Sequence, residues 1–199
     1  RVRPSGESNR EALFLSADAG ILRAFVYGGP KSKLRSYVSQ FHSGGLYLYH
    51  DPVRDSYKVT DFDVRSWRPG IREDYDRTMA AAAISETILA GYGGGCNWGA
   101  ALDMANASLD AVEMVDGLDA LRVLVHFFWN WAELNGIHSG EHLRSLSSSA
   151  LRWLEASSTI PASEICSLGL DSASLLEAKN FCAGLIASAI GRRLKSWEW

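Results

Sequence analysis

Residues 56–90 read "SYKVTDFDVRSWRPGIREDYDRTMAAAAISETILA", and within this stretch the chain changes its period. Ser56 to Trp67 is rich in strand-forming types and reads as one long strand. "WRPGI" (67–71) breaks that pattern, because Pro69 and Gly70 do not readily continue a strand. From Arg72 onward the text is helical. Asp74 to Ala90 is Ala-rich, with Tyr75, Met79, Ala82, Glu86 and Leu89 at helical spacing. The break predicts a β unit over 1–70 and an all-α unit over 71–199.

Toward the N-terminus, "RVR" (1–3), "ALFLS" (12–16), "ILRAFVYG" (21–28) and "GLYLYH" (45–50) are the other strand candidates. Gly20 is placed for a positive φ in a tight turn, and "DPVRD" (51–55) turns at Pro52. In 21–28, Leu22, Ala24 and Val26 share one face, while Ile21, Arg23, Phe25 and Tyr27 share the other. In 45–50, Leu46 and Leu48 oppose Tyr47 and Tyr49. The tyrosines are expected to face outward, since their hydroxyls tolerate water. Five short strands joined mostly by tight turns suggest a small closed barrel, because closure removes unpaired edges. An OB-type barrel is the natural five-stranded candidate.

Toward the C-terminus, helices are predicted over Trp98–Val115, Leu118–Leu134 and 140–157. A short one opens at Pro161, and a last one, capped by Asp171 or Ser172, runs to about Lys195. The third helix carries an apolar stripe of Leu121, Leu124, Val125, Phe128, Trp129 and Ala132. Leu175, Cys182, Ile186, Ala189 and Ile190 are expected to face inward from the last. There is no internal repeat. The expected fold class is α+β in two domains, a five-stranded OB-type barrel followed by an all-α domain.

Hydrophobic residues make up 47% of the chain, enough for a packed core and too many for global disorder. A formal charge of −3 argues against coating nucleic acid by bulk charge. That total hides an asymmetry. Residues 1–70 hold 11 Lys/Arg against 7 Asp/Glu, whereas residues 71–199 hold 9 against 16. Such a change of sign suggests two units with different partners. Cys96, Cys166 and Cys182 are odd in number and widely spaced, which suits a reducing cytosol. No charged-then-apolar leader opens the chain, and "LRVLVHFFWNWAEL" (121–134) is interrupted by Arg122, His126, Asn130 and Glu133. The expected location is therefore cytoplasmic, with no membrane partner.

Lys31, Lys33 and Arg35 stand two apart in "GGPKSKLRSYVSQF" (28–41). An extended segment would point all three to one side, while a helix would still align Lys31 with Arg35. Single-stranded nucleic acid offers a line of phosphates and a row of flat bases. A binder answers with spaced cations and aromatic faces. Arg23 and Lys58 could support the comb, with Arg54, Arg65 and Arg68 as further cations. Tyr27, Tyr37, Phe41, Tyr47, Tyr49, Tyr57 and Trp67 are the possible stacking platforms. The plain alternative is a solvated loop with its rings in packing roles.

"GYGGGCNWG" (91–99) is not a phosphate loop. It follows a helix, not a strand, and contains no Lys or Arg. Cys96 has no nearby His or cation to lower its pKa, so the segment reads as a helix–helix connector. "HFFWNWAEL" (126–134) reads as core, with His126 finding one hydrogen bond there; the alternative is an exposed aromatic groove for an apolar peptide. No Ser/His/Asp order, paired metal ligands or nucleotide loop stands out, so no enzyme is expected.

The string "RPSGESNREALFLSADAGILRAFVYGGPKSKLRSYVSQF" (3–41) resembles the start of the RecO family of DNA repair proteins. The matching features are Gly6-Glu7-Ser8, Gly20-Ile21-Leu22, Gly28 and Lys31-Ser32-Lys33-Leu34-Arg35. Arg72-Glu73-Asp74 and Glu86 fall where the family passes from barrel to helices. The likeness covers residues 3–90, and beyond them it rests on the helical layout. The resemblance implies an N-terminal OB-fold and a helical C-terminal domain. It also implies a non-catalytic recombination mediator that binds single- and double-stranded DNA and anneals strands. Such proteins act with RecR to load RecA onto strands coated by single-strand-binding protein. An acidic, Phe-ended tail of single-strand-binding protein would need cations beside an apolar slot, for which Arg122, Arg144, Arg152 and Lys179 are the candidates. Many relatives carry a four-cysteine zinc site where this chain reads "NGIHSGEHLRSLSSS" (135–149). His138, His142 and the distant Cys166 fall short of four ligands, so no metal or other cofactor is expected. The runner-up is a protein-interaction adaptor of the same fold with little DNA binding of its own.

Overall fold

In the computed structural model the chain divides into two units, Arg1–Arg68 and Pro69–Trp199. The structure describes residues 1–29, 31–91, 97–137 and 142–197, the side chains of Leu118, His142 and Arg144 excepted. The first unit holds β1 (Val2–Ser5), β2 (Asn9–Ser16), β3 (Gly20–Val26), β4 (Ser43–Asp51) and β5 (Ser56–Ser66). A five-residue helix, α1 (Lys33–Tyr37), lies in the connection from β3 to β4. The strands form one sheet in the order β1-β2-β3-β5-β4. All neighbours are antiparallel except β3 and β5, which run parallel through Ala24–Tyr57 and Phe25–Lys58.

Alternation decides the inner face. Ala12, Ala24, Val26, Val59 and Phe62 are buried together with Val38, and Leu34 and Tyr37 of α1 pack against them. Leu46 and Leu48 join that cluster, while Tyr47 and Tyr49 point to water as the pattern predicts. Gly20 takes φ 68°, the left-handed value its turn requires.

Val59 and Phe62 are three apart, yet both are buried. A straight strand would send them to opposite faces. A β-bulge resolves the conflict. Leu48 pairs with Val59 and Tyr47 with Asp61, which leaves Thr60 as the extra residue. The Thr60 hydroxyl donates to the Tyr47 carbonyl at 3.1 Å. Beyond the bulge Phe62 and Val64 face in, and Asp61 and Asp63 face out.

The expected closure of the barrel is corrected. The sheet is open, because its end strands β1 and β4 do not pair. The β1 strand is four residues long and includes Pro4, which has no N–H to give. The β4 strand begins Ser43-Gly44-Gly45 and carries a second register shift there.

The second unit contains α2 (Tyr75–Ala90), α3 (Trp98–Met114), α4 (Gly117–Leu134), α5 (Ser148–Ser157) and α6 (Ser172–Ile190). Short 3-10 helices lie at Pro69–Glu73, His142–Ser145, Ala162–Ser167 and Lys195–Trp197. Side chains cap four helix starts. Asp74, Asn97, Ser147 and Asp171 accept from the N–H groups of Arg77, Ala100, Ala150 and Ser174. The predicted 140–157 helix is interrupted for this reason, since Ser147 caps a fresh start. The last helix stops short of Lys195 because Gly191 takes φ 72° and closes it. Ala189, expected inward, is exposed.

The central helix is α4, which packs on α2, α3 and α6. Its residues Val123 to Trp129, with Trp131 and Ala132, are all buried. Nineteen residues long, with a mean hydropathy of 1.2 in its most apolar window, α6 passes a length-and-composition test for crossing a bilayer. Its Leu175, Ala178, Cys182 and Ile186 are buried, and a third of that window is buried in all.

Candidate nucleic-acid interface

The 31–35 segment is neither a strand nor a full helix. Gly28 takes φ 135°, and a Cβ there would fall 2.7 Å from the Ser32 side chain, so only glycine fits this reversal. The Ser32 N–H then bonds the Gly29 carbonyl at 3.0 Å, and α1 begins at Lys33. Lys31 and Lys33 are exposed, with no carboxylate partner among the described residues. Arg35 is half-buried and donates from Nη1 to the Ser8 carbonyl at 3.2 Å. Arg10 reaches the other way, from Nη1 to the Arg35 carbonyl at 3.1 Å. Arg35 thus straps α1 to the β1–β2 turn, while the two lysines remain available to a ligand.

Strand register assembles a second group. On the outer face, Arg3 stands opposite Glu11, Glu11 opposite Phe25, Phe25 opposite Lys58 and Lys58 opposite Tyr49. This row crosses all five strands. Lys58 Nζ lies 5.4 Å from the Tyr27 ring centroid, and the Arg23 guanidinium lies 6.0 Å from that of Phe25. The Phe25 and Tyr27 centroids are 6.2 Å apart. Cations and rings therefore interleave, each ring retaining polarised contact with a positive group.

Arg23 is not free. Its Nη2 sits 2.6 Å from Glu11 Oε2, and Arg3 holds the other carboxylate oxygen at 2.7 Å. Glu11 is 6% exposed. The hydrogen bond from Arg23, seconded by Arg3, holds its carboxyl below the usual carboxylate range even though burial pushes the other way. Arg1, Arg3, Glu11, Leu13 and Arg23 line a cavity of ≈ 240 Å³. Two guanidiniums there share one carboxylate, so the local balance stays positive.

The proposed stacking residues separate into two groups. Tyr27 and Tyr49 lie beside Lys58 in the row. Tyr47 and Trp67 instead line a groove with Asp61 and Asp63, where a phosphate would be repelled. Tyr57 is exposed and packs on His50, which pairs with Asp55 at 2.9 Å. Tyr37 and Phe41 are half-buried. Sequence reasoning missed Arg3 and Phe25. The alternation of 21–28 already put Phe25 beside Arg23 and Tyr27, but only the strand order brings Lys58 and Arg3 into line.

In the second unit the "HFFWNWAEL" rings are core, not groove. Phe127 and Phe128 are 0% exposed, Trp129 is 4% and Trp131 is 1%. His126 Nε2 lies 3.0 Å from the Ile160 carbonyl, and burial pushes its pKa down. Arg122 donates to Asp119 and, at 3.1 Å, to the Leu170 carbonyl. Lys179 is 5% exposed, with its pKa lowered by burial. Arg152 is exposed. The side chains of Arg144 and His142 lie outside the described residues, as do His138 and Cys96. Burial raises the pKa of both Cys166 and Cys182, so neither is a poised thiolate. Among the described side chains, Arg122 is engaged by Asp119 and the Leu170 carbonyl and Lys179 is buried, which leaves Arg152 as the exposed member of the proposed partner-binding set. The sequence matches no family model and no curated protein.

Proposed function

We propose that this chain is a non-catalytic, RecO-like recombination mediator in DNA repair. Its β unit, read as an OB-type module, would hold the DNA, and its helical unit would serve protein partners. Cytoplasmic placement at the nucleoid, and action with RecR in loading RecA onto strands coated by single-strand-binding protein, belong to the same reading. One observation carries it. The outer row sets Arg3, Glu11, Phe25, Lys58 and Tyr49 across the sheet, with Tyr27 against Lys58, and Lys31 and Lys33 stand exposed at the start of α1, whose Leu34 and Tyr37 pack on the inner face. Spaced positive charge with flat rings between suits a single strand, whose phosphates and bases call for those two chemistries. Lys31, Lys33 and Lys58 are the backbone contacts, with Arg3 and Arg23 adding field from their shared pairing to Glu11.

Fluorescence anisotropy of labelled single strands, titrated across salt, tests this. Engagement of three or four phosphates gives a slope of log K on log salt of about −2 to −3, from about −0.7 per phosphate. A slope near zero rejects the proposal. The second reading, an adaptor with little DNA contact, is favoured by the engagement of Arg23 with Glu11 and of Arg35 with Ser8. Retention of RecR by a chain that shows no salt-dependent DNA binding would select it.

A further inference from the structure

Along the last half of β5 lies a groove of ≈ 570 Å³ whose chemistry is opposite to that of the outer row. It is lined by Tyr37, Tyr47, Phe62 and Trp67 together with the two carboxylates Asp61 and Asp63. Strand pairing explains why it is open. Among the described residues β5 pairs with β3 only through Tyr57 and Lys58, and no second strand lies beside those after Lys58. The bulge at Thr60 then turns Asp61 and Asp63 outward, next to Tyr47 and Gly45 on β4. Gly45 has no side chain to occupy the space, and the Tyr47 ring passes 3.8 Å from where its Cβ would be.

Two of the rings hold each other in place. Trp67 meets Tyr37 edge to face at 5.5 Å and His42 at 5.0 Å. The His42 ring Nδ1 is 2.8 Å from the Tyr37 carbonyl. Both aspartates are exposed, and neither has a cation partner among the described residues. Asp61 Oδ1 accepts from the Phe62 N–H at 2.8 Å, which orients that carboxylate and leaves its second oxygen for a ligand.

We propose that this groove is a recognition site for an arginine side chain in a basic segment of a partner protein. A guanidinium is planar and weakly hydrated, so it stacks on the ring faces while its fork of N–H donors meets a carboxylate in two parallel bonds. The two carboxylates supply the complementary charge, and the three rings supply the flat surface. The same carboxylates repel phosphate, so this end of the outer face takes a ligand of opposite charge to the one the Lys58–Tyr49 row suits, and the proposal does not depend on DNA binding. An ammonium would gain the charge attraction without the planar stacking.

The test uses the full chain and an acetylated, amidated (Gly-Arg)4 peptide, with (Gly-Lys)4 and (Gly-citrulline)4 as comparators. Binding is read by anisotropy of the labelled peptide and by shifts of the Trp67 indole N–H resonance. The arginine peptide is expected to bind and to move the Trp67 signal, the lysine peptide to bind several-fold more weakly and the citrulline peptide not at all. Asp61→Asn with Asp63→Asn is expected to weaken arginine-peptide binding at least tenfold. Asparagine keeps an oxygen for the Phe62 N–H, and both positions are exposed, so an unchanged melting temperature is expected. Equal binding by the double variant, an unmoved Trp67 signal or equal affinity for the citrulline peptide each overturns the assignment. Tetramethylammonium binding as tightly as the arginine peptide would overturn it too, in favour of a small-cation cage. Single-strand affinity measured on the same double variant keeps the two sites apart, since loss of the peptide with retention of DNA is the expected pair of results.

Discussion

In α4, Phe127, Phe128, Trp129 and Trp131 are sealed from water, whereas on the sheet Tyr47 and Tyr49 expose 57% and 56% of their surface. The same class of side chain is used for opposite ends. A helix packed on three others has no outward face for large rings, so they become core. A sheet with one packed face has another that must meet solvent, and the rings there are free to meet something else. The sheet's own rings divide again, Tyr27 and Tyr49 among cations, Tyr47 and Trp67 among carboxylates. Exposure makes an aromatic residue available, and its charged neighbours decide for what.

The contrast is broken most forcefully from the buried side. Phe128→Ala should destabilise the helical unit by about 3–5 kcal/mol through lost burial and the cavity left behind. Calorimetry should register that loss, while DNA affinity measured well below the unfolding transition should stay unchanged. On the exposed side, Tyr49→Ala should leave the melting temperature in place and weaken single-strand binding by about 1–3 kcal/mol, the range for one stacked base. A fall in stability with no change in binding would move Tyr49 to the packing class.

Charge sharpens the division further. Lys31→Glu with Lys33→Glu should flatten the salt slope by about 1.4, two phosphate contacts at about 0.7 each. Glu11→Gln works in the other direction. It releases Arg23 and Arg3 from their shared carboxylate, so the salt slope should steepen by about 0.7 as one more phosphate is engaged. The depressed pKa of Glu11 also means that this pairing contributes stability above the ordinary glutamate pKa and loses it as pH falls through the lowered one. The glutamine variant should therefore lose part of the acid sensitivity seen below pH ~4.5.

The smallest effect belongs to His126. Burial keeps it neutral, so the unfolded chain binds a proton that the folded chain refuses. Stability is full above a pH of about 6.5 and declines as pH falls below it. His126→Gln should flatten the melting temperature between pH 7 and 5, and an unaltered profile would remove His126 from the account.

The break at "WRPGI" was legible because Pro69 and Gly70 separate two different periods, and the cap at Asp171 was legible because a short polar side chain precedes an apolar repeat. The outward tyrosines followed from simple alternation. The open sheet was not legible, since nothing local in β1 or β4 states whether they meet. Nor was the fate of Arg35 or Arg23, because a cation's partner comes from another strand. Register between distant strands carries that information, and it depends on packing of the whole unit. Part of it was nonetheless written locally. Val59 and Phe62, both apolar and three apart, signal an inserted residue in a strand that otherwise alternates.

That inserted residue, Thr60, separates shape from chemistry. Removing it would bring Asp61 directly after Val59, and every remaining side chain of β5 would keep its present side. What would change is the local coiling that an extra residue imposes on its strand. A shortened chain of this kind would be a flatter version of the same two-faced surface, so bending and composition are independently adjustable here, through a single codon.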